Sequence, residues 1–194
     1  ASSEELGRRL AINPEQIRKD LAFFGQFGKK GVGYYVAELK ESIGGILGLD
    51  HHWNVAIVGM GHLGAALANY QGIARLGFHL AAIFDVNPVV IGTRVGERRV
   101  EDIAYLAEII AERDIQIGVI AVPAIHAQGV ADKLVGGGIR GIWNFAPVNL
   151  HVPPHIPFVS EDLSVGLSSL SYYLTHTTGE GDNLSERFKE SLIK

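Results

Sequence analysis

A glycine-rich turn that directly follows a short apolar run constrains this chain more than any other feature. The run covers residues 55–58, and residues 59–64 follow it with the pattern G-x-G-x-x-G. In this pattern the first glycine permits a tight turn, the second lets the backbone approach a pyrophosphate, and the third allows close packing of the helix that follows. The N-terminus of that helix directs N–H groups at the phosphates. The alternative is a glycine turn with a purely structural role. As a dinucleotide-binding loop it comprises Gly59, Met60, Gly61, His62, Leu63 and Gly64.

An acidic residue favours the dinucleotide interpretation. A second apolar run, 80–84, ends in Asp85, which lies 21 residues after Gly64. In dinucleotide-binding folds an acidic residue about 20 residues beyond the loop binds the ribose hydroxyls. A carboxylate also repels a 2′-phosphate, so Asp85 favours NAD(H) over NADP(H). Three basic residues nearby in the sequence could instead accommodate a 2′-phosphate, so the choice of cofactor stays open. They are Arg94, Arg98 and Arg99.

Composition and charge exclude several classes of protein. The 194 residues include no cysteine, which excludes disulfide frameworks, thiolate zinc sites and cysteine nucleophiles, and no metal site is predicted. No apolar run approaches the roughly 20 residues that cross a bilayer, and residues 1–5 lack the features of a signal peptide. We therefore expect a cytoplasmic protein. The net charge is −4, yet residues 8–40 hold seven Lys or Arg against three Asp or Glu. This asymmetry indicates a nucleic-acid-facing part near the N-terminus.

Residues 2–24 have the pattern of two short helices joined by a tight turn. Ser2 and Asn13 are suitable N-caps, and Pro14 fits the first position of a helix. The signature is that of a helix-turn-helix whose second helix reads DNA. The alternative is a helical hairpin with a solvated charged face. In the second helix, Ile17, Leu21 and Phe24 have the spacing of a buried stripe. The basic residues Arg18 and Lys19 point away from this stripe.

The next segment, 26–36, has the composition of a β-hairpin with a basic tip. It combines aromatic residues at both ends with glycines and two lysines. Beside a helix-turn-helix such a hairpin is a wing, in which lysines reach phosphate or the minor groove and glycines allow close backbone approach. An ordinary glycine-rich turn is the alternative. A third helix, 36–47, completes a module covering residues 1–50. The predicted DNA contacts of the wing are Lys29, Lys30, Gly31, Gly33 and Tyr34.

Residues 51–160 alternate between predicted strands and helices. This rhythm predicts an α/β fold with a Rossmann-like, doubly wound parallel sheet. Strands are expected at 55–58, 80–84, 116–122, 139–145 and 158–160, with a loop at 92–99. Ligands of such sheets bind beyond the carboxyl ends of the strands, although proline-shaped loops are an alternative reason for the residue types found there. The residues expected at these ends are Val122, Pro123, Asn144, Phe145, Ala146 and Pro147.

The last predicted helix, 161–176, is apolar, and Ser160 suits its N-cap position. A surface this apolar near the end of a chain indicates packing against another subunit. Packing on the chain's own sheet is the alternative. A polar tail, 177–194, follows, to which the sequence assigns no role.

A catalytic constellation is missing from this cofactor-binding pattern. The sequence contains no H-E-x-x-H, Walker lysine or G-x-S-x-G motif. Of the eight histidines, only His126 is placed like a catalytic base, just after a predicted strand end, and a structural role is its alternative. A cofactor fold with a basic module ahead of it but without catalytic groups indicates a cofactor that serves as a signal, in a protein that is not an enzyme.

Several of these stretches together resemble the Rex family of redox-sensing repressors. R-K-D-L at 18–21 and F-G-x-F-G-K-K-G-V-G-Y at 24–34 are similar to its recognition helix and wing. G-M-G-H-L-G at 59–64 and N-F-A-P at 144–147 are similar to its NAD(H) domain. The similarity extends from Ser2 to about Thr175 in unbroken order. Members of this family begin with one more helix, so the resemblance implies an N-terminally truncated sequence whose first helix is missing.

The resemblance implies a homodimer that binds an inverted-repeat operator when NADH is scarce and releases it when NADH rises. It also implies that the C-terminal helix is swapped between subunits and that Tyr70 and Asp162 sense the nicotinamide. Leu163 stands where some relatives have an aromatic residue. On the residues alone two other functions stay open: a small NAD-dependent dehydrogenase that uses His126, and a nucleotide- or CoA-binding subunit of a ligase.

Overall fold

The N-terminal part of the chain is a small helical module with a hairpin. The computed structural model describes residues 1–29 and 31–176, so Lys30 and the predicted tail, 177–194, lie outside the described residues. The module consists of α1 (Ser3–Leu10), α2 (Pro14–Phe24), β1 (Gly28–Lys29), β2 (Gly33–Tyr34) and α3 (Val36–Ile46).

Side chains at the two helix starts explain why α1 and α2 form where they do. The Ser2 hydroxyl accepts a hydrogen bond from the Glu5 amide (3.1 Å), and the Asn13 side-chain oxygen accepts one from the Glu15 amide (2.8 Å). Between the helices, Ala11 adopts a left-handed conformation with φ of 55° and reverses the chain tightly. The predicted helix-turn-helix geometry is confirmed.

The buried side of α2 is shorter than the sequence predicts. Ile17 is buried and Leu21 is half-buried, but Phe24 is 54% exposed. Gly25 follows with φ of 146°, a value that lets the chain leave the helix axis at this point. Phe24 therefore lies at the open end of the helix, and the buried stripe ends one turn early.

The hairpin after α2 has the form of a wing. Its strands pair antiparallel, Gly28 with Tyr34 and Lys29 with Gly33. Ala1 and Tyr34 exchange two backbone hydrogen bonds of 2.8 and 2.7 Å, which join the hairpin to the start of α1. The predicted winged helix-turn-helix is confirmed as a structure.

The rest of the chain is built on a seven-stranded sheet. Its strands lie in the order β5-β6-β4-β3-β7-β8-β9, and every neighbouring pair is parallel except β5 with β6. The order runs outwards in both directions from β3, so the topology reverses between β3 and β7, as in Rossmann folds. The predicted α/β fold is confirmed. The strands are β3 (Trp53–Val58), β4 (Phe78–Asp85), β5 (Arg94–Val95), β6 (Arg98–Asp102), β7 (Ile117–Ile120), β8 (Gly141–Asn144) and β9 (Phe158–Ser160).

Helices cover the two faces of the sheet unequally. The main core packs one face against α6 and α7, with Phe84, Leu106 and Leu134 fully or almost fully buried. Among residues 1–29 and 31–176, no helix is both long enough and apolar enough to cross a membrane. The helices are α4 (His62–Ala68), α5 (Gln71–Arg75), a 3₁₀ helix (Ile103–Tyr105), α6 (Leu106–Glu112), α7 (Ala124–Gly136) and α8 (Ser164–His176).

The other face of the sheet stays partly open. A small cluster around Ile57 borders an apolar cleft of about 630 Å³, whose walls include Phe78, Trp143 and Val159. The helix α8 buries none of its residues, and its Leu174 is 77% exposed. Within residues 1–29 and 31–176, neither this apolar sheet face nor the helix α8 is covered, and we call the cleft in the sheet face the open cleft.

Two strands occupy the segment that the sequence predicts to be a loop, 92–99, and its continuation. The strand β6 pairs in parallel with β4, and its Val100 is buried. The segment is predicted to be a loop because it contains three arginines. Each arginine donates a hydrogen bond to a backbone carbonyl: Arg94 to Gly96, Arg98 to Leu80 and Arg99 to Gly92. The loop prediction is therefore wrong at this edge of the sheet.

The helix α8 begins at Ser164 rather than residue 161, and Ser160 is not its N-cap. Ser160 ends β9, and its hydroxyl accepts a hydrogen bond from Asn144 Nδ2 (3.0 Å). Asp162 caps the helix instead, because its carboxylate accepts hydrogen bonds from the Ser164 hydroxyl (2.6 Å) and amide (2.8 Å). These two bonds, the hydroxyl first, lower the pKa of the Asp162 carboxyl.

Candidate functional site

The three glycines of the loop between β3 and α4 differ in what the fold requires of them. Gly59 has φ of 101°, and a Cβ there would lie 2.5 Å from the Ala121 carbonyl oxygen. A Cβ on Gly64 would overlap the Gly59 carbonyl oxygen, whereas one on Gly61 would meet nothing within 4 Å. The fold therefore requires Gly59 and Gly64, while Gly61 borders open space.

Asp85 lies at the carboxyl end of β4 and holds the loop in place. Its carboxylate accepts hydrogen bonds from the Met60 amide (2.6 Å) and from the Asn87 amide (2.8 Å). Each carboxylate oxygen can accept a second hydrogen bond, so Asp85 retains the capacity to bind ribose hydroxyls. Its role as the anchor of the loop does not follow from the sequence motif.

These residues line a cleft of about 390 Å³ where the strand order reverses. Doubly wound sheets bind dinucleotides at this position. We call it the loop cleft. Of the residues predicted to bind a cofactor, it brings together Gly59, Gly61, Asp85, Val122 and Pro123. Met60 reaches the site through its amide, and His62, Leu63 and Gly64 form the first turn of α4.

One side of α7 completes the loop cleft. His126, the candidate base, lines it together with three residues that sequence reasoning missed, namely Gly129, Val130 and Lys133. Their spacing of i, i+3, i+4 and i+7 puts them on one helix face. This spacing, on a predicted helix that directly follows a strand end, is the sequence signal that could have identified these three residues. Lys133 adds a cation to a cleft whose lining also includes the Asp85 carboxylate.

The end of β8 forms a structural corner outside the loop cleft. Asn144 is fully buried, and its side chain exchanges two hydrogen bonds of 2.9 Å with the backbone of Ala146. The Phe145 ring packs on Trp143 at a centroid distance of 4.5 Å, on the sheet face that carries the open cleft. None of Asn144, Phe145, Ala146 and Pro147 lines the loop cleft. The fold alone explains the asparagine.

The two residues expected to sense the nicotinamide also lie apart from the loop cleft in the single chain. Tyr70 is 64% exposed and borders the open cleft on the other sheet face. Asp162 borders a shallow groove along α8 and caps that helix. Glu161, which precedes Asp162, borders the open cleft together with Tyr70.

Two of the basic residues predicted to bind DNA already have partners. Arg18 reaches back to α1, where it donates to the Ser3 hydroxyl (2.8 Å) and pairs with Glu4 (3.3 Å). Lys19 pairs with Glu15 one turn earlier (3.1 Å). Exposed ion pairs of this kind contribute little to stability. A DNA phosphate can therefore replace either carboxylate at small cost.

The wing residues divide into an open tip and a confined base. Lys29 lies 5.5 Å from the centroid of the Tyr35 ring. A Cβ on Gly31 would meet nothing within 4 Å, whereas one on Gly33 would lie 2.5 Å from the Ala1 carbonyl oxygen. Tyr34 is half-buried, and its carbonyl accepts a hydrogen bond from the amino group of Ala1. The tip is thus open to a ligand, and the base is fixed by the fold.

Comparison by sequence finds similar proteins over most of the chain. Residues 50–148 match the family described as CoA binding domain. The chain is 46% identical over 175 residues to the redox-sensing transcriptional repressor Rex of Clostridium perfringens strain SM101, which covers 90% of this chain and 82% of that protein. It is 48% identical over 173 residues to the Rex repressor of Chloroflexus aurantiacus, with 89% and 82% covered.

Comparison by structure extends to the whole described fold. RSP, a Rex-family repressor, in complex with β-NAD+ and operator DNA is similar at a TM-score of 0.86 and 40% identity, covering 100% of this chain and 86% of that chain. RSP in complex with β-NADH gives a TM-score of 0.80 at 39% identity, covering 98% and 85%. The similarity therefore includes the winged helix and the sheet together.

Proposed function

Because the chain belongs to the Rex family of redox-sensing transcriptional repressors, we propose that it binds operator DNA as a homodimer and releases the DNA when NADH occupies the loop cleft. A two-fold dimer presents two identical recognition helices, so the operator is an inverted repeat. The cofactor acts as a signal, since NADH and NAD+ compete for one cleft and the two forms differ in how they affect DNA binding.

The open space at Gly61 is the observation that carries the cofactor assignment. The fold leaves room for a Cβ there, so packing does not explain the glycine. A pyrophosphate that passes directly over the loop does explain it. Asp85 lines the same cleft and is hydrogen-bonded to the loop through the Met60 amide, which supports its assignment to the ribose.

The charges around the loop cleft favour NAD(H) over NADP(H). A 2′-phosphate next to Asp85 meets a carboxylate, and like charges repel. The three arginines that kept this preference open, Arg94, Arg98 and Arg99, donate hydrogen bonds to backbone carbonyls of their own edge strands and neighbours. Each bond uses one of the donors of its guanidinium, and none of the three arginines lines the loop cleft.

We divide the chain into a winged-helix domain (1–50), a Rossmann domain (51–160), a dimerisation helix (161–176) and a polar tail (177–194). In this division α2 enters a DNA groove with Arg18 and Lys19, and the wing contacts the DNA backbone. The uncovered α8 and the open cleft are complementary apolar surfaces, which supports packing of α8 on the sheet of the partner subunit. The proposed wing contacts are Lys29, Lys30, Gly31, Gly33 and Tyr34.

We propose that Tyr70 and Asp162 transmit the state of the cofactor to the dimer interface. Tyr70 borders the open cleft, and Asp162 follows Glu161 at the edge of the same cleft. A partner helix that occupies this cleft would lie against Tyr70 and against Glu161, the residue before Asp162. A shift of Tyr70 or Asp162 would therefore change how α8 is held.

Two alternatives each have one supporting observation. His126 lines the loop cleft, as a dehydrogenase would need, and residues 50–148 match the CoA binding domain family. We nevertheless propose that the protein is not an enzyme, because its relatives are transcriptional repressors and the sequence contains no catalytic motif of the types considered. We also propose that it acts in the cytoplasm, as expected from the sequence.

One titration, together with an assay of NADH oxidation, separates the three functions. An operator is first selected from random duplex DNA with the full chain, and fluorescence anisotropy then follows binding while NADH, NAD+ or CoA is added. We expect NADH to reverse binding at concentrations where CoA has no effect. Release by CoA would support the CoA-binding alternative, and oxidation of NADH by added carbonyl metabolites that is lost in His126→Ala would support a dehydrogenase.

A further inference from the structure

The geometry points to a binding site for a divalent transition-metal ion, Zn²⁺ in the first instance, formed by His52 and His79 at the junction between the N-terminal helices and the sheet. His52 directly precedes β3, and His79 is the second residue of β4. The atoms His52 Nδ1 and His79 Nε2 lie 3.4 Å apart. This site shares no residue with the loop cleft or the DNA-binding surface, so it does not depend on the proposed function.

The distance between the two nitrogen atoms is that of a long hydrogen bond and also that of two ligands on one ion. Hydrogen bonds from N–H donors are most frequent at about 2.9–3.0 Å. Two imidazole nitrogens that each lie about 2.0–2.1 Å from one tetrahedral Zn²⁺ are about 3.4 Å apart. The ring centroids are 5.3 Å apart with an interplanar angle of 49°, so the rings are not stacked. The two nitrogens are thus spaced as neighbouring ligands of one ion.

Backbone contacts hold both histidines in position. The strands β3 and β4 pair in parallel with His79 opposite Asn54, and His52 lies two residues before Asn54, diagonal to His79. The Trp53 amide donates to the Gly77 carbonyl (3.0 Å). A Cβ on Gly77 would lie 2.8 Å from the His51 carbonyl oxygen, which shows how closely the two segments pack. A site held by paired strands requires little ordering when the ion binds.

The ion would have two protein ligands and open positions. Within the described residues no group of three or more His, Asp or Glu side chains is arranged to hold a metal ion. Both histidines are exposed, so water completes a tetrahedral shell and the ion exchanges with solvent. Metal ions bind the neutral imidazole, so acid displaces them. The bound ion would tie the end of the linker after α3 to the sheet.

The test is a Zn²⁺ titration of the full chain without a polyhistidine tag, by isothermal calorimetry. We expect one ion per chain in the wild type and a loss of affinity of at least about tenfold in both His52→Gln and His79→Gln, since each removes one of two ligands. Matched controls are His51→Gln, next to the site, and His155→Gln, far from it in sequence. Both controls should bind as the wild type does.

A second readout detects the two rings directly. Long-range ¹H–¹⁵N spectra of the histidine side chains should show that the signals of His52 and His79 shift together at one equivalent of Zn²⁺, while unchanged circular dichroism establishes that the variants are folded. Absence of one-to-one binding to the wild type, or wild-type affinity in His79→Gln, would overturn the site. Loss of affinity in His51→Gln but not His52→Gln would also overturn it.

Discussion

At the scale of single residues, the loop contains Gly64, which the fold requires, and Gly61, which we propose that the cofactor requires. We predict that Gly61→Ala unfolds at the wild-type temperature, because its methyl group enters open space. The same methyl group lies where the pyrophosphate must approach, so NADH affinity should fall by about tenfold or more. Thermal unfolding and NADH fluorescence titration measure the two effects separately.

The matched control for this change is Gly64→Ala. Its methyl group would overlap the Gly59 carbonyl oxygen, so both the unfolding temperature and NADH binding should decrease. If Gly61→Ala binds NADH as tightly as the wild type, the pyrophosphate does not pass over residue 61.

Asp85 is the residue at which cofactor choice can be tested. Asp85→Asn removes the charge that accepts the Met60 amide and repels a 2′-phosphate. Loss of a hydrogen bond to a charged group corresponds to about tenfold or more in affinity, so NADH binding should weaken accordingly. NADPH binding should weaken less, which lowers the NADH preference. Asp132→Asn is the control, because Asp132 accepts from Gln128 on the surface of α7. An unchanged NADH-to-NADPH ratio would contradict the role of Asp85.

At the scale of the elements, periodic patterns in the sequence predict most of the helices and strands. The features that they do not predict depend on hydrogen bonds from side chains to the backbone. Apolar runs identify β3, β4, β7 and β8, and the caps Ser2 and Asn13 identify α1 and α2. The strand β6 is missed because its arginines bond to backbone carbonyls, which composition does not reveal. Likewise Asn144, which the sequence suggests as a pocket residue, is needed to close a buried corner.

In the candidate site, too, some residues can be predicted from local sequence and others depend on tertiary contacts. The G-x-G-x-x-G spacing and the position of Asp85 follow from local sequence, and both lie at the loop cleft. The contribution of α7 depends on how this helix packs across the sheet, so the spacing that puts Lys133 on one helix face with His126 does not by itself place that face at the loop cleft. The position of Tyr70 on the opposite sheet face depends on tertiary structure in the same way.

The wing is the element whose electrostatic role can be measured. Lys29→Ala with Lys30→Ala should weaken binding to every DNA sequence alike and reduce the slope of log affinity against log salt by about 0.9 for each lost phosphate contact. Anisotropy titrations between low and moderate salt give the slope. Arg75→Ala with Arg140→Ala makes the same change of charge on the sheet part of the chain and should leave the slope unchanged. An unaltered slope in the lysine variant would remove the wing from the interface.

At the scale of the whole molecule, the exposed face of α8 predicts the assembly. Leu167 and Leu174 lie seven residues apart on this helix and are 71% and 77% exposed. We predict that Leu167→Glu with Leu174→Glu yields a monomer in light scattering, because burying two carboxylates in an apolar cleft is unfavourable. Operator affinity should fall with it, since one subunit reads only half of an inverted repeat. Tyr105→Glu, at another exposed position of the chain, should remain a dimer.

Coupling between the two ligands of the dimer must be reciprocal. If NADH weakens operator binding by a given factor, operator DNA must weaken NADH binding by the same factor, because both factors describe one thermodynamic cycle. Typical couplings are about 5- to 150-fold, which is measurable in both directions. The NADH dissociation constant of the free dimer is compared with that of the dimer saturated with operator, at one salt concentration because DNA affinity depends on salt. Unequal factors would mean that a further equilibrium, such as dissociation of the dimer through α8, accompanies one of the two binding steps.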